Sequence, residues 1–81
     1  MLTEYIRAAM SRAEYEDLDD EGWFGHITSP GFQGVWASGR SPEDARNELQ
    51  SVLEDWILIR LHRGQPLPIV DGIDLNVKDV A

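Results

Sequence analysis

Apolar residues recur in two rhythms along this chain, and each rhythm predicts an element. Leu2, Tyr5, Ile6, Ala9, Met10 and Ala13 fall at helical spacing, with Glu4, Arg7, Ser11 and Arg12 opposite them. That pattern predicts a short amphipathic helix over residues 2–12. From Ala13 to Leu18 the rhythm changes to alternation, the mark of a strand. Asp19-Asp20-Glu21-Gly22 then reads as a turn, and Trp23-Phe24-Gly25-His26-Ile27 as a second strand, so a hairpin is expected. Alternation puts Trp23, Gly25 and Ile27 on one face, with Phe24 and His26 on the other. After Pro30-Gly31 a third strand is predicted over residues 34–38, with Val35 and Ala37 on one side and Trp36 on the other. Large aromatics on both faces predict that something apolar covers each.

A long helix follows, over residues 42–63. Ser41 is an N-cap, Pro42 suits the first helical position, and Asp44 stands three residues after the cap. Ala45, Leu49, Val52, Leu53, Trp56 and Ile57 form its stripe. Arg60, His62 and Arg63 lie in the last turn, and Gly64 stops it. Such a helix is about 33 Å long, whereas strands of five or six residues span about 17–20 Å. Its end, Trp56 to Leu61, therefore overhangs the sheet and is apolar on more than one side. Either the N-terminal helix or a second chain must cover it. In the tail, Leu67 to Gly72 reads as a stiff connector. Ile73, Leu75 and Val77 alternate with Asp74, Asn76 and Lys78, which predicts a short final edge strand. The expected fold class is α+β, in a single domain over residues 1–81. It has a three-stranded antiparallel sheet plus the short C-terminal strand, the long helix on one face, and the short N-terminal helix.

Composition narrows the function. The chain has 81 residues and no cysteine, so disulfides and thiolate metal sites are excluded. A core this small gains from oligomerisation, and a homo-oligomer, most simply a dimer, is expected. The net charge is −8, spread over both halves. Such a field disfavours direct nucleic-acid binding, which needs a basic footprint, and attracts a basic protein partner. No signal peptide or membrane span is read from the sequence, so a cytoplasmic location is expected.

The chemistry-bearing residues form no catalytic pattern. Glu16, Asp17, Asp19, Asp20 and Glu21 cluster at a turn, but not with the spacing of a calcium loop. His26 and His62 belong to no nucleophile–base or metal motif, and no phosphate-binding glycine loop is present. No catalytic, cofactor-binding or metal residue is expected, and no enzymatic activity. Trp23, Trp36 and Trp56 serve either core packing or an interface, where tryptophan is enriched. With Leu58 and Ile59 they make the candidate protein interface.

One ordered set of segments resembles a known family. Tyr15-Glu16, Gly22-Trp23-Phe24-Gly25, Pro30-Gly31-Phe32-Gln33-Gly34-Val35-Trp36-Ala37-Ser38-Gly39, Ser41-Pro42-Glu43-Asp44-Ala45, Leu53-Glu54-Asp55-Trp56 and Gly64-Gln65-Pro66-Leu67-Pro68 together resemble the HicB-like antitoxins. The resemblance implies a degraded ribonuclease-H-like fold without a nuclease site. It also implies a role in a type II toxin–antitoxin system, binding and masking a small basic HicA-type toxin that cleaves messenger RNA. Many members carry a further DNA-binding domain at the C-terminus. The residues after 70 leave no room for one, so DNA autoregulation by this chain itself is not expected. Two alternatives remain: a module like the double-stranded RNA-binding domain, whose element order is α-β-β-β-α, and an orphan oligomeric interaction domain. A vestigial hydrolase would need carboxylates converging on a metal.

Overall fold

A computed structural model describes residues 1–76 of the chain. The element order is α1 (Leu2–Met10), β1 (Ala13–Asp17), β2 (Trp23–Ile27), β3 (Trp36–Gly39) and α2 (Pro42–His62). The strands form one antiparallel sheet in the order β1-β2-β3. Both helices lie on the same face of it, giving the expected α+β class. Glu14 pairs with His26, which pairs with Trp36, and Glu16 pairs with Phe24, which pairs with Ser38. Cross-strand partners share a face, so these rows form one side of the sheet.

Local chemistry explains the boundaries. Helix α1 stops at Ser11, two residues short of the expected end, and Ser11 Oγ donates to the Ala8 carbonyl at 2.6 Å. The β1–β2 connection is a short 3-10 turn, Asp19–Glu21. The Asp17 carboxylate accepts the Asp19 amide at 2.9 Å and opens that turn. Strand β3 starts two residues later than expected, because Gly34 has φ +87° and Val35 bonds back to Phe32. Helix α2 begins as the sequence predicts: Ser41 Oγ accepts the Asp44 amide at 3.1 Å, with Pro42 at the first position.

The core lies between the sheet and the helices. Leu49, Leu53 and Ile57 of α2 meet Tyr5 and Ala9 of α1, Ile27 and Ala37 of the sheet, and Phe32 and Val35 of the β2–β3 loop. Two glycines sit at close approaches, Gly39 to α2 and Gly25 to the neighbouring strand. A Cβ on Gly39 would collide with the Ala45 amide nitrogen. A Cβ on Gly25 would stand 2.9 Å from the Tyr15 ring and 3.6 Å from Leu49. Gly39 needs a hydrogen in place of a side chain so that α2 can lie on the sheet, and Gly25 needs one to make room for the Tyr15 ring of β1.

The tail departs from the expected edge strand. Among the described residues, Val70 and Ile73 form one isolated antiparallel bridge, with both amides bonded across it. Asp71 and Gly72 have φ +50° and +77°, the signature of a tight two-residue reversal. The chain thus turns on itself instead of joining the sheet. The Asn76 side chain then takes the place of a strand partner. Its Oδ1 accepts the Leu67 amide at 2.7 Å and its Nδ2 donates to the Leu67 carbonyl at 3.0 Å. Val77 and Lys78, the rest of the expected strand, lie outside the described residues.

The tail also closes the fold. Leu67 and Val70 are buried in the main core. The Tyr5 hydroxyl donates to the Pro68 carbonyl at 2.6 Å, and the Arg12 guanidinium pairs with the Asp71 carboxylate.

Candidate protein-interaction site

The two faces of the sheet differ in what covers them. One carries Gly25, Ile27 and Ala37 beneath the helices. The other carries Glu14 and Glu16 from β1, Phe24 and His26 from β2, and Trp36 and Ser38 from β3. Within the chain only the inner face is covered: no element among the described residues lies over this outer face. The reason is topological, since the β1–β2–β3 connections are short and both helices pack on the inner side.

The outer face nevertheless has internal order. The Phe24 and His26 rings stack with centroids 5.6 Å apart, and Phe24 meets Trp36 at 5.8 Å. Trp36 remains 55% exposed, while Phe24 and His26 are half-buried by one another. Glu14 and Glu16 border the aromatic group on the β1 side, and the strand residues of this face include no Lys or Arg, while Arg40 follows β3 beside Ser38 and the acidic turn. The acidic 3-10 turn extends this negative border beyond Asp17. An aromatic surface edged by carboxylates suits a partner that brings cationic side chains, which pair with the acids and lie over the rings.

The five residues expected at an interface do not form one patch. Trp23 is half-buried on the inner side, at the start of β2. Trp36 stands alone among them on the outer face. Trp56 is half-buried in the chain's own packing: its ring meets Phe32 at 5.3 Å and lies 4.7 Å beneath the Arg60 guanidinium. Arg60 is fixed there by donating from Nε to the Pro66 carbonyl at 2.9 Å. Leu58 and Ile59 are exposed on α2, on the opposite side of the molecule from Trp36. The overhang is thus covered in part: α1, the β2–β3 loop and the tail enclose Ile57, while Leu58, Ile59 and Leu61 stay open to solvent. Phe24 is the residue missing from the sequence-derived set. Its place beside Trp36 follows from register, which alternation within one strand does not give.

Two tyrosines carry the resolved electrostatic shifts. Burial pushes the Tyr5 phenol up to about 12, with Arg60 opposing the shift and Asp74 adding to it. Burial also raises Tyr15, against the nearby Arg46. Both belong to the packing. Among the described residues, no three His, Asp or Glu side chains come together as a metal-holding group. No described helix is long and apolar enough to cross a membrane.

A family model described as UPF0150-like matches residues 4–68, which spans α1, the whole sheet, α2 and the first part of the tail. The chain belongs to the UPF0150-like family. The crystal structure of TTHA0281 from Thermus thermophilus is similar to this UPF0150-like chain. The likeness covers 96% of this chain and 95% of that one, with a TM-score of 0.85 and 39% sequence identity. No curated protein matches the sequence. No catalytic function is indicated by the family.

Proposed function

We propose that this chain is a non-catalytic, antitoxin-like subunit that binds and masks a small basic HicA-type toxin. The observation that carries this reading is the outer sheet face. It presents an exposed Trp36 on Phe24, a border of Glu14 and Glu16, and no Lys or Arg among its strand residues, on a chain of net charge −8. A toxin that binds messenger RNA presents a basic surface, and covering that surface with acids and aromatic rings blocks its substrate. The resemblance of the sequence to HicB-like antitoxins supports the reading, since the UPF0150-like match covers most of the same segments. The duplex-RNA alternative draws support only from element order. The N-terminus of α2 carries Glu43 and Asp44, which repel phosphate.

The test is calorimetric titration of this chain with the product of the neighbouring reading frame, if that frame encodes a short basic protein. A tight complex that protects messenger RNA from cleavage is expected. Trp36→Glu should weaken it by about 100-fold or more, the effect of removing an aromatic interface anchor. A complex that forms unchanged with Trp36→Glu rejects the outer face. A basic neighbour that does not bind rejects the antitoxin reading.

A further inference from the structure

The order of hydrogen bonds in the sheet shows which main-chain groups are left open. The Arg12 carbonyl accepts the Thr28 amide at 3.0 Å and the Gly22 carbonyl accepts the Leu18 amide at 2.7 Å, both in continuation of the β1–β2 register. Bonded pairs alternate along an antiparallel ladder, so Glu14–His26 and Glu16–Phe24 are the pairs that exchange bonds. The main-chain groups of Phe24 and His26 therefore point to β1, and those of Trp23 and Gly25 point to β3. Their partners there are Gly39 and Ala37. That leaves the N–H and C=O of Trp36 and Ser38 directed outward from β3, at the edge of the sheet. Among the described residues, no main-chain group of a loop, a helix or the tail bonds to them.

Helix α2 forms one wall of this edge. Gly39 lies against Ala45, and Gly25, the partner of Ala37, lies against Leu49. Four helical residues rise about 6 Å and two strand residues about 6.6 Å, so α2 runs alongside β3. Arg46 and Gln50 line a hollow shared with α1, and the Arg46 charge acts on the Tyr15 phenol of β1, so that flank of α2 faces β1. Glu48 and Val52 stand about 200° round the helix from them and overlook the free edge of β3. Glu48 is exposed and Val52 is half-buried. On the outer side the edge is bordered by the exposed Trp36. Beyond Ser38, the acids of the Asp19–Glu21 turn share a hollow with Arg40 and outnumber it.

We propose that the β3 edge receives an extended, cationic segment of a protein partner, which adds to the sheet as a fourth strand. Its main chain bonds to the N–H and C=O groups of Trp36 and Ser38, and its side chains alternate between the two sides of the sheet. On the outer side a lysine or arginine lies against the Trp36 ring. On the inner side an apolar residue packs on Val52, beside Glu48. Glu48 and the acidic turn select a cationic segment over an acidic one. A second copy of the chain would bring its own Glu48 and acidic turn to the same edge, like charge against like. The opposite edge, β1, is occupied at both ends: the Asp17 carboxylate takes the Asp19 amide, and Arg12 holds Asp71 of the tail.

Amide hydrogen exchange followed by NMR tests this on the full chain, with a synthetic peptide of alternating lysine and valine as the probe. With the peptide at about ten times its dissociation constant, exchange at the Trp36 and Ser38 amides should slow by about tenfold. The outward amides of β1, at Ala13 and Tyr15, should be unchanged. A peptide of alternating glutamate and valine should protect neither edge. Ser38→Pro removes one outward donor and leaves the ladder to β2 whole, a change that an edge strand accepts. It should weaken the lysine–valine peptide by about tenfold or more. Circular dichroism checks the fold of the variant, and if the fold is lost the exchange pattern of the parent decides alone. The proposal falls if the lysine–valine peptide leaves Trp36 and Ser38 unprotected, or protects Ala13 and Tyr15 instead. It falls if the glutamate peptide binds as well, or if a folded Ser38→Pro binds unchanged. It also falls if Trp36 and Ser38 become protected when the chain alone is concentrated, because a second copy then fills the edge. No toxin enters this test, so a failed toxin titration leaves the edge standing, and a failed peptide leaves the outer-face reading standing.

Discussion

The inner and outer faces of the sheet differ in what covers them more than in the size of what they carry. The inner face offers Gly25 and Ala37 to the helix and carries Tyr15, Trp23 and Ile27 beside them, while Leu49, Leu53 and Ile57 of α2, each at most 1% exposed, and Phe32 and Val35 from a loop close over it. The outer face carries Phe24, His26 and Trp36, of which the first two are half-buried by one another and Trp36 is exposed. Gly39 is small where the α2 backbone must come close, and Trp36 stands exposed where no described element arrives. Burial here is a property of topology.

The contrast can be broken most strongly from the inside. Leu53→Ala should lower the unfolding free energy by about 2–5 kcal/mol, measured by urea denaturation, because the core around it cannot fully collapse. If the loss were under about 1 kcal/mol, the inner face would be loosely packed after all. Next in size is Gly39→Ala. The added methyl meets the α2 backbone at Ala45 rather than a side chain that can rotate away, and about 1–3 kcal/mol should be lost.

Tyr5→Phe probes the tail's seal over the same core. Loss of the bond to the Pro68 carbonyl should cost about 0.5–1.5 kcal/mol at neutral pH. The Tyr5 phenol titrates near 10.0 when unfolded and is pushed up to about 12 when folded. The folded state therefore holds the proton more tightly. That stability is fully present below pH 10 and is lost as pH rises toward 12. The parent should lose stability over this window, and Tyr5→Phe should lose less, with Tyr15 supplying a remainder of the same sign. Parallel loss in both proteins would show that Tyr5 is not responsible. The smallest effect belongs to the outer face. Trp36→Ala should change stability by no more than about 0.5 kcal/mol in thermal or urea unfolding. A large loss there would mean that the exposed aromatic group acts as a second core.

Much of this architecture is readable from residues alone. The helical spacing of Leu2 to Met10, the Ser41-Pro42 start of α2 and the alternation in Trp23–Ile27 each state their element locally. The tail is not readable in the same way. Ile73, Leu75 and Val77 alternate like a strand, but Asp71-Gly72 reverses the chain before any ladder can form, and the Asn76 side chain satisfies Leu67 in place of one. The interface residues are readable as a composition and not as a place. Trp56 has the chemistry of an anchor, yet Phe32 and Arg60 both pack against its ring. Which tryptophan stays outside depends on contacts between residues far apart in sequence, and those follow from the fold.

The bond from Tyr5 to Pro68 joins residues 63 positions apart, and Arg12 to Asp71 joins residues 59 apart. During synthesis α1 leaves the ribosome first, but its docking partners in the tail are made after the sheet and α2. The first helix must wait as an amphipathic segment with its apolar side unprotected. Closure of so long a loop is a late and slow event. A nascent chain is therefore expected to stay open to proteases until residues 65–71 emerge. Cleavage within residues 65–71 would release α1 and expose Tyr5 and Ala9 together, so a cut near one end would undo the fold at the other.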